Sequence, residues 1–288
     1  MNSVIVSAPA KLNLTLDITG IEPNGYHTMD MLMQAVNLTE RVTLARAADI
    51  CVTATGARLP MGPSNTAYKA AVLFFQETGL LAGVHIHIEK KAPIRAGMAG
   101  GSADAAAVLV GLNTLYSAEL SLAELCTLGA AVGADVPFAI CGGTARVGGF
   151  GEKITPLPAL MDCRFVVVMP GYGISTPEAF ANYDQVGTDK RPNNEAAVAA
   201  LTAGDYDALM PCLANVLEKA SNGPDTEAIC NALTQAGAGA ALMTGSGAAV
   251  YGIFKTEQAA QSAASQLKKR WQKVWVLAPR AEGTKIEK

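Results

Sequence analysis

The sequence predicts an α+β fold in two domains, residues 1–158 and 159–288. Three observations predict it. Segments with the two-residue period of half-buried strands alternate with segments of helical period along the whole chain. A stretch rich first in glycine and then in proline, CGGTARVGGFGEKITPLPAL over residues 141–160, interrupts both patterns and marks the expected boundary. With 288 residues, half of them hydrophobic, the chain can fill two cores.

Residues 3–20 alternate around Leu12, Leu14 and Leu16 and are expected to form a strand with its leucines inward. That pattern puts Lys11 and Asn13 on the opposite face. Pro23, Asn24 and Gly25 supply a turn. Strands are expected over 31–46, 50–56 and 83–94. A helix is expected over Asn65 to Gly79, with Ser64 or Asn65 as its cap. His85 and His87 lie two apart on a strand with no third ligand nearby, so exposed strand positions are expected there. Val108, Leu109, Leu112 and Leu115 define a helix after Gly101. Ser121 and Glu124 open another, ending at Val132, with a capping box. The second half reads as strand 163–170, helices 195–201, 205–213 and 225–236, strand 248–254, helix 257–271 and strand 273–279.

Composition narrows the function classes. The net charge of −3 gives no general positive field, so neither nucleic acid nor a membrane is an expected partner. No apolar run reaches the length of a membrane span, and residues 1–14 do not read as a secretion signal. The six cysteines are scattered without a CxxC pair, as expected for reduced thiols in a cytoplasmic protein.

Three motifs carry the chemistry. In APIRAGMAGGSADAAAVLVGLN, residues 92–113, Gly97, Gly100 and Gly101 precede Ser102 and an apolar helix. Glycines there let the backbone turn sharply and approach a ligand, and the helix start offers free N–H groups and a positive dipole end. Phosphate is the usual occupant of such a site. The pattern is neither Walker A nor a dinucleotide fingerprint, and a helix packed closely on a sheet would also need small residues. In GADVPFAICGG, residues 133–143, Asp135 sits among apolar residues. It is either functional or the cap of a helix beginning at Pro137. A second Gly/Ser loop spans Thr244 to Gly247. Lys11 is either a partner for Asp135 or an ordinary exposed strand lysine.

In this order, PAKLNL (9–14), GMAGGSADAA (97–106) and TGSGAAVY (244–251) resemble the three motifs of the GHMP kinases. Tyr26-His27 and GADVPF (133–138) are similar to the branch that phosphorylates the cytidine diphosphate conjugate of methylerythritol, on the non-mevalonate route to isoprenoid precursors. The resemblance implies an N-terminal α/β domain with a Gly-rich phosphate loop and a ferredoxin-like C-terminal domain. It implies ATP and Mg²⁺ as cofactors, a small-molecule alcohol as substrate, and a monomer or homodimer. Asp135 would be the catalytic base and Lys11 its cationic neighbour. Pro93 and the loop residues Ala96, Gly97, Met98, Ala99, Gly100, Gly101, Ser102 and Ala103 would bind ATP. Asn65 and Asn113 would face the adenosine. Tyr26, His27 and Phe180 would hold the cytosine, and Thr176 would lie near the transferred phosphate. Asn13, Gly245, Ser246 and Gly247 would complete the substrate side. The commoner loop has two serines where this chain has Ser102-Ala103, so Ser102 is the expected contact to Mg²⁺. The alternatives are another small-alcohol kinase, of the homoserine or mevalonate class, and a noncatalytic nucleotide-binding module.

Overall fold

The computed structural model describes residues 2–23, 25–160 and 162–287. Asn24 of the expected turn lies outside them. The chain begins with two long strands, β1 (Ser3–Ile21) and β2 (His27–Ala47), followed by β3 (Cys51–Thr55), α1 (Thr66–Thr78) and β4 (Gly83–Glu89). Next come α2 (Gly100–Tyr116), α3 (Leu122–Val132), α4 (Val136–Cys141), β5 (Thr144–Gly149) and β6 (Lys153–Leu157). These strands form one sheet, in which β2 is the spine. One edge of β2 carries β1 along most of its length. The other is shared, with Met29–Gln34 on β5 and Arg41–Ala47 on β4.

A second, four-stranded antiparallel sheet is built from β7 (Arg164–Met169), β8 (Ala240–Met243), β9 (Val250–Phe254) and β10 (Lys273–Leu277), in the order β10-β7-β9-β8. Between β7 and β8 run α5 (Thr176–Val186), α6 (Asn194–Ala203), α7 (Tyr206–Leu209), α8 (Glu218–Ser221) and α9 (Thr226–Gln235). Helix α10 (Glu257–Leu267) joins β9 to β10. With the helices between β7 and β8 taken as one crossover, this is the βαββαβ ferredoxin-like arrangement. The chain then returns to the first sheet, where β11 (Lys285–Ile286) pairs with β1. Among the described residues no helix is long and apolar enough to cross a membrane.

Two sequence expectations change in physical terms. Strand β1 has no exposed central face: Lys11 is 4% exposed and Asn13 fully buried, enclosed by the Gly-rich loop, the 244–247 loop and Asp135. The leucines also part company. Leu12 and Leu14 pack with Phe165 and Tyr251, whereas Leu16 joins Met31, Met33 and Val168. A register shift between Asn13 and Thr15 accounts for this, since one extra residue turns the following side chains to the other face. Most of residues 141–160, from Thr144 to Leu157, is the β5–β6 hairpin rather than a connector. The helix expected over 205–213 is one turn, Tyr206–Leu209, followed by a 3-10 turn at Met210–Cys212, whereas the expected caps hold. Asn65 caps α1 by accepting from the Ala67 N–H, and Ser121 with Glu124 forms the expected capping box on α3. His85 and His87 both contact the Thr53 hydroxyl across the β3–β4 pair.

The first core also encloses charge. Glu40 on β2 is fully buried, and Lys90 after β4 and Asp104 on α2 are nearly so. Lys90 Nζ lies 2.7 Å from Asp104 and 3.0 Å from Glu40. The Glu40 carboxylate also accepts the N–H groups of Lys91 and Ala92, 2.8 and 3.1 Å away. One ammonium thus serves two carboxylates, and Asp104 Oδ1 has no hydrogen-bond partner. Burial pushes the Asp104 carboxyl up to about 7, against the pull of Lys90 and assisted by Glu40.

Two predictions follow from this packing. A folded-state pKa above the unfolded value means the native protein binds a proton that the unfolded chain releases. Stability should therefore fall as pH rises from about 4 to about 7, by at most about 1.4 kcal/mol per unit from this group. Asp104→Asn should flatten that slope in denaturant titrations across the window; an unchanged slope would remove Asp104 as its source. The C-terminal return is equally tight. A Cβ on Gly283 would lie 2.1 Å from the Ile140 carbonyl oxygen and 2.6 Å from the Cys141 carbonyl carbon. Gly283→Ala should lower stability by about 1–3 kcal/mol, read as a shifted denaturation midpoint.

Candidate active site

The Gly-rich loop is threaded between the two sheets. Lys11 N–H on β1 donates to Met98 O at 3.1 Å. From the other side, Ala248 N–H donates to Arg95 O (3.1 Å) and Ala249 N–H to Ala96 O (3.2 Å). Arg95, Gly97 and Ala99 all have left-handed backbone, with φ of 54°, 73° and 56°. At Gly97 the need for glycine is steric as well, because a Cβ would fall 1.9 Å from Thr244 O. Ala99 is the N-cap of α2 and offers no side-chain hydrogen bond to it. The amino end of a 17-residue helix therefore meets the loop without a side-chain cap.

The second loop, residues 244–247, is locked onto the first. Thr244 Oγ1 accepts from Asn13 N–H at 3.0 Å and donates to Gly97 O at 3.2 Å. The buried Asn215 amide donates to Met243 O and Gly245 O, each at 2.8 Å. Ser221 Oγ donates to Ser246 O, and the hydroxyls of Ser246 and Thr176 lie 2.8 Å apart. Tyr251 OH donates to Asn13 O at 2.7 Å, fixing β1 from below.

Between the loops lies Lys11. Its Nζ donates to Asn13 Oδ1 and sits 3.8 Å from Asp135 Oδ2. Burial draws the Lys11 pKa below the ordinary lysine value, and Asp135 pulls it part of the way back. Asp135 occupies the N-cap position of α4, ahead of Pro137, yet its side chain caps nothing. The helix-cap reading of Asp135 therefore fails for its carboxylate, which is 29% exposed and faces the lysine.

These groups line one cavity of about 450 Å³, within the range of small-molecule sites. It brings together Lys11, Asn13, Asn65, Pro93, Asp135, Thr176 and Phe180. It also takes in the loop residues from Ala96 through Ser102, together with Gly245 and Ser246. Asn65 contributes as a fixed wall, since its amide donates to Pro60 O while its oxygen caps α1.

Other expected site residues stand apart. Asn113 lies near the far end of α2, about 20 Å along the helix. Both ends of its side chain bind the Leu120 backbone. Ala103 is fully buried behind the loop, and neither it nor Gly247 lines the cavity. His27 packs on Phe180 with ring centroids 4.9 Å apart, and its Nε2 is 2.7 Å from Asp184 Oδ1. Tyr26 is 66% exposed, with its ring edge-on to Phe150 at 6.0 Å. His27 thus touches the cavity's Phe180, and neither His27 nor Tyr26 is part of the cavity lining.

Sequence reasoning missed Lys90 and Asn215. Lys90 lines the cavity directly below Gly100, where a Cβ would be 3.0 Å from its Nζ. A lysine just before a Gly-rich loop was the available signal. Asn215, a polar residue within the apolar run CLANVL, was the signal for the second loop's support. Among the described residues no group of three His, Cys, Asp or Glu side chains could hold a metal.

Comparison with known proteins identifies the family. The family described as GHMP kinases N terminal domain matches residues 65–143, and GHMP kinases C terminal matches residues 197–273. A relative from Exiguobacterium sibiricum named 4-diphosphocytidyl-2-C-methyl-D-erythritol kinase is 40% identical over 263 residues, covering 90% of this chain and 92% of that one. A relative of the same name from Carboxydothermus hydrogenoformans is 40% identical over 285 residues, covering 97% and 98%. A crystal structure of 4-(cytidine 5'-diphospho)-2C-methyl-D-erythritol kinase superposes with a TM-score of 0.79 at 32% identity, covering 96% and 98% of the two chains. Homoserine kinase from Cytophaga hutchinsonii gives a TM-score of 0.81 over 100% and 98%, but at 19% identity, a likeness of fold alone. The chain belongs to the GHMP kinases, in the branch of the 4-diphosphocytidyl-2-C-methyl-D-erythritol kinases.

Proposed function

We propose that this cavity transfers the γ-phosphoryl group of ATP to the 2-hydroxyl of 4-diphosphocytidyl-2-C-methyl-D-erythritol in the cytoplasm. The single observation that carries the residue assignment is the Lys11–Asp135 pair, 3.8 Å apart, facing the uncapped amino end of α2 across a narrow cavity. The triphosphate lies over the backbone from Ala96 to Ser102. That site fits the group because Gly97 leaves no Cβ in the bend and no side chain competes for the first turn of α2.

Asp135 accepts the proton of the acceptor hydroxyl as its oxygen approaches the phosphorus in line. Lys11 is held by Asn13 and stabilises negative charge on that oxygen. Its depressed pKa does not prevent this, since an anionic substrate raises the pKa of a nearby ammonium. Phosphoryl transfer is dominated by positioning and charge neutralisation. Ser102 would hold a Mg²⁺ ion arriving with the triphosphate, and that ion would neutralise charge on the phosphate oxygens. Thr176 and Ser246, hydroxyl to hydroxyl, border the transfer site from the second sheet's side. Phe180 offers a flat face for the cytosine, and His27, already set against Phe180 and Asp184, stands at its edge. Tyr26 completes the base site from the β1–β2 turn once the cytosine gives it a surface to stack on, an interaction worth about 1–3 kcal/mol in nucleic-acid binders.

Three outcomes test the reading. Asp135→Asn should lower kcat by at least about 100-fold with little change in KM, measured as ADP release with the cytidine diphosphate conjugate as acceptor. Wild-type turnover would remove Asp135 from the chemistry. Lys11→Ala should lose turnover to a similar degree. Tyr26→Ala should raise KM for the alcohol and leave KM for ATP unchanged; an equal rise for ATP would contradict the cytosine assignment. Product mass from a panel of alcohols, homoserine and mevalonate included, tests the substrate itself.

A further inference from the structure

Helices α3 and α4 form a hairpin whose connecting turn, residues 133–135, delivers Asp135. At its open end two cysteines face each other: Cys126 Sγ on α3 and Cys141 Sγ, the last residue of α4, are 3.6 Å apart. Both are half-buried, so a small solute reaches them. The helices are already in contact along this hairpin, because a Cβ at Gly129 would lie 2.9 Å from Val136 and 3.2 Å from Ile140. A disulfide needs the sulfurs at about 2.05 Å, so closing the pair takes side-chain rotation and a small approach of one helix.

We propose that Cys126 and Cys141 are a redox modification site: a peroxide converts them to a disulfide, and the closure slows phosphoryl transfer. The chemistry balances with the peroxide as sole oxidant. The Cys141 thiolate attacks one peroxide oxygen; the O–O bond breaks and, for hydrogen peroxide, water leaves after protonation. The resulting sulfenic acid is attacked by the Cys126 sulfur. The S–S bond forms, the S–O bond breaks, and a second water carries off the oxygen with the Cys126 proton. Two thiols lose two electrons and the peroxide gains them.

Three observations bear on the assignment. The hydrogen bond shared with Cys126 holds the Cys141 thiol below its ordinary value, which favours Cys141 as the attacking sulfur and Cys126 as the resolving one. The two ends of the hairpin also differ in freedom. Cys141 is pinned, with Gly283 packed on its backbone and Thr284 N–H bound to the Ala139 and Ile140 carbonyls. Helix α3, by contrast, buries only Leu125 and Gly129. Closure therefore moves α3 toward α4 and strains the turn between them. That turn sets the 3.8 Å spacing between Asp135 and Lys11.

The loss of turnover rests on the reading of Asp135 given above; the cross-link does not. The full chain is treated with hydrogen peroxide, its remaining thiols are alkylated, and it is digested without reduction. The expected result is a peptide joining Cys126 to Cys141, lighter than its reduced parts by two hydrogens. A several-fold fall in kcat, reversed by dithiothreitol, should accompany it. Cys126→Ser and Cys141→Ser should keep their untreated kcat under the same peroxide and give no such peptide. Absence of the 126–141 cross-link, or its presence with kcat unchanged, overturns the proposal. Failure of the Asp135→Asn prediction with the cross-link intact would instead fault the catalytic assignment.

Discussion

The site depends on one close approach of main chain to main chain. Gly97 lies against Thr244 so tightly that a single added carbon would sit 1.9 Å from a carbonyl oxygen. That contact, with the hydrogen bonds from Lys11, Ala248 and Ala249, makes the Gly-rich loop a strand-like seam between β1 and the second sheet. The seam orients the amino end of α2 and leaves a cavity bounded by both loops. Close packing of small residues and anion binding were competing explanations for these glycines, and this arrangement is compatible with both. Gly97 serves the packing, and the helix start it positions faces the cavity.

Electrostatics follow from that geometry. Joining two sheets across β1 buries both of its faces, and Lys11 goes under with them. A buried ammonium with one partial counter-charge 3.8 Å away is expensive unless a further anion completes it. The chain keeps this cost at the place where a phosphate and an alkoxide-like oxygen would relieve it. The deeper trio of Glu40, Lys90 and Asp104 works in the other direction. It binds the backbone leading into the loop through Lys91 and Ala92, and keeps Asp104 turned toward Lys90. The carboxylate two residues after Ser102 is thereby paired within the protein.

What was legible in the sequence was local. Caps at Asn65 and Ser121, the strand alternation of Val84, Ile86 and Ile88, and the glycine loop before α2 are short-range signals that the folded chain keeps. What was not legible depended on contacts between distant segments. Alternation in β1 could not foresee the two loops and Asp135 that enclose Lys11 and Asn13, nor the bulge that sends Leu16 into a different cluster from Leu14. Helix α5 buries only Ala179 and Tyr183, too sparse an apolar pattern to announce itself, yet it presents Phe180 and Thr176. Asn113 illustrates the converse error. A family-like asparagine near the loop in sequence is carried to the other end of a 17-residue helix, where it ties down Leu120.

The most direct test is a crystal structure with a non-hydrolysable ATP analogue and 4-diphosphocytidyl-2-C-methyl-D-erythritol bound together. The terminal phosphate should rest on the backbone N–H groups at the start of α2. The acceptor hydroxyl should lie within hydrogen-bond reach of both Asp135 and Lys11. A triphosphate bound away from the seam, or an acceptor hydroxyl out of reach of that pair, would contradict the account.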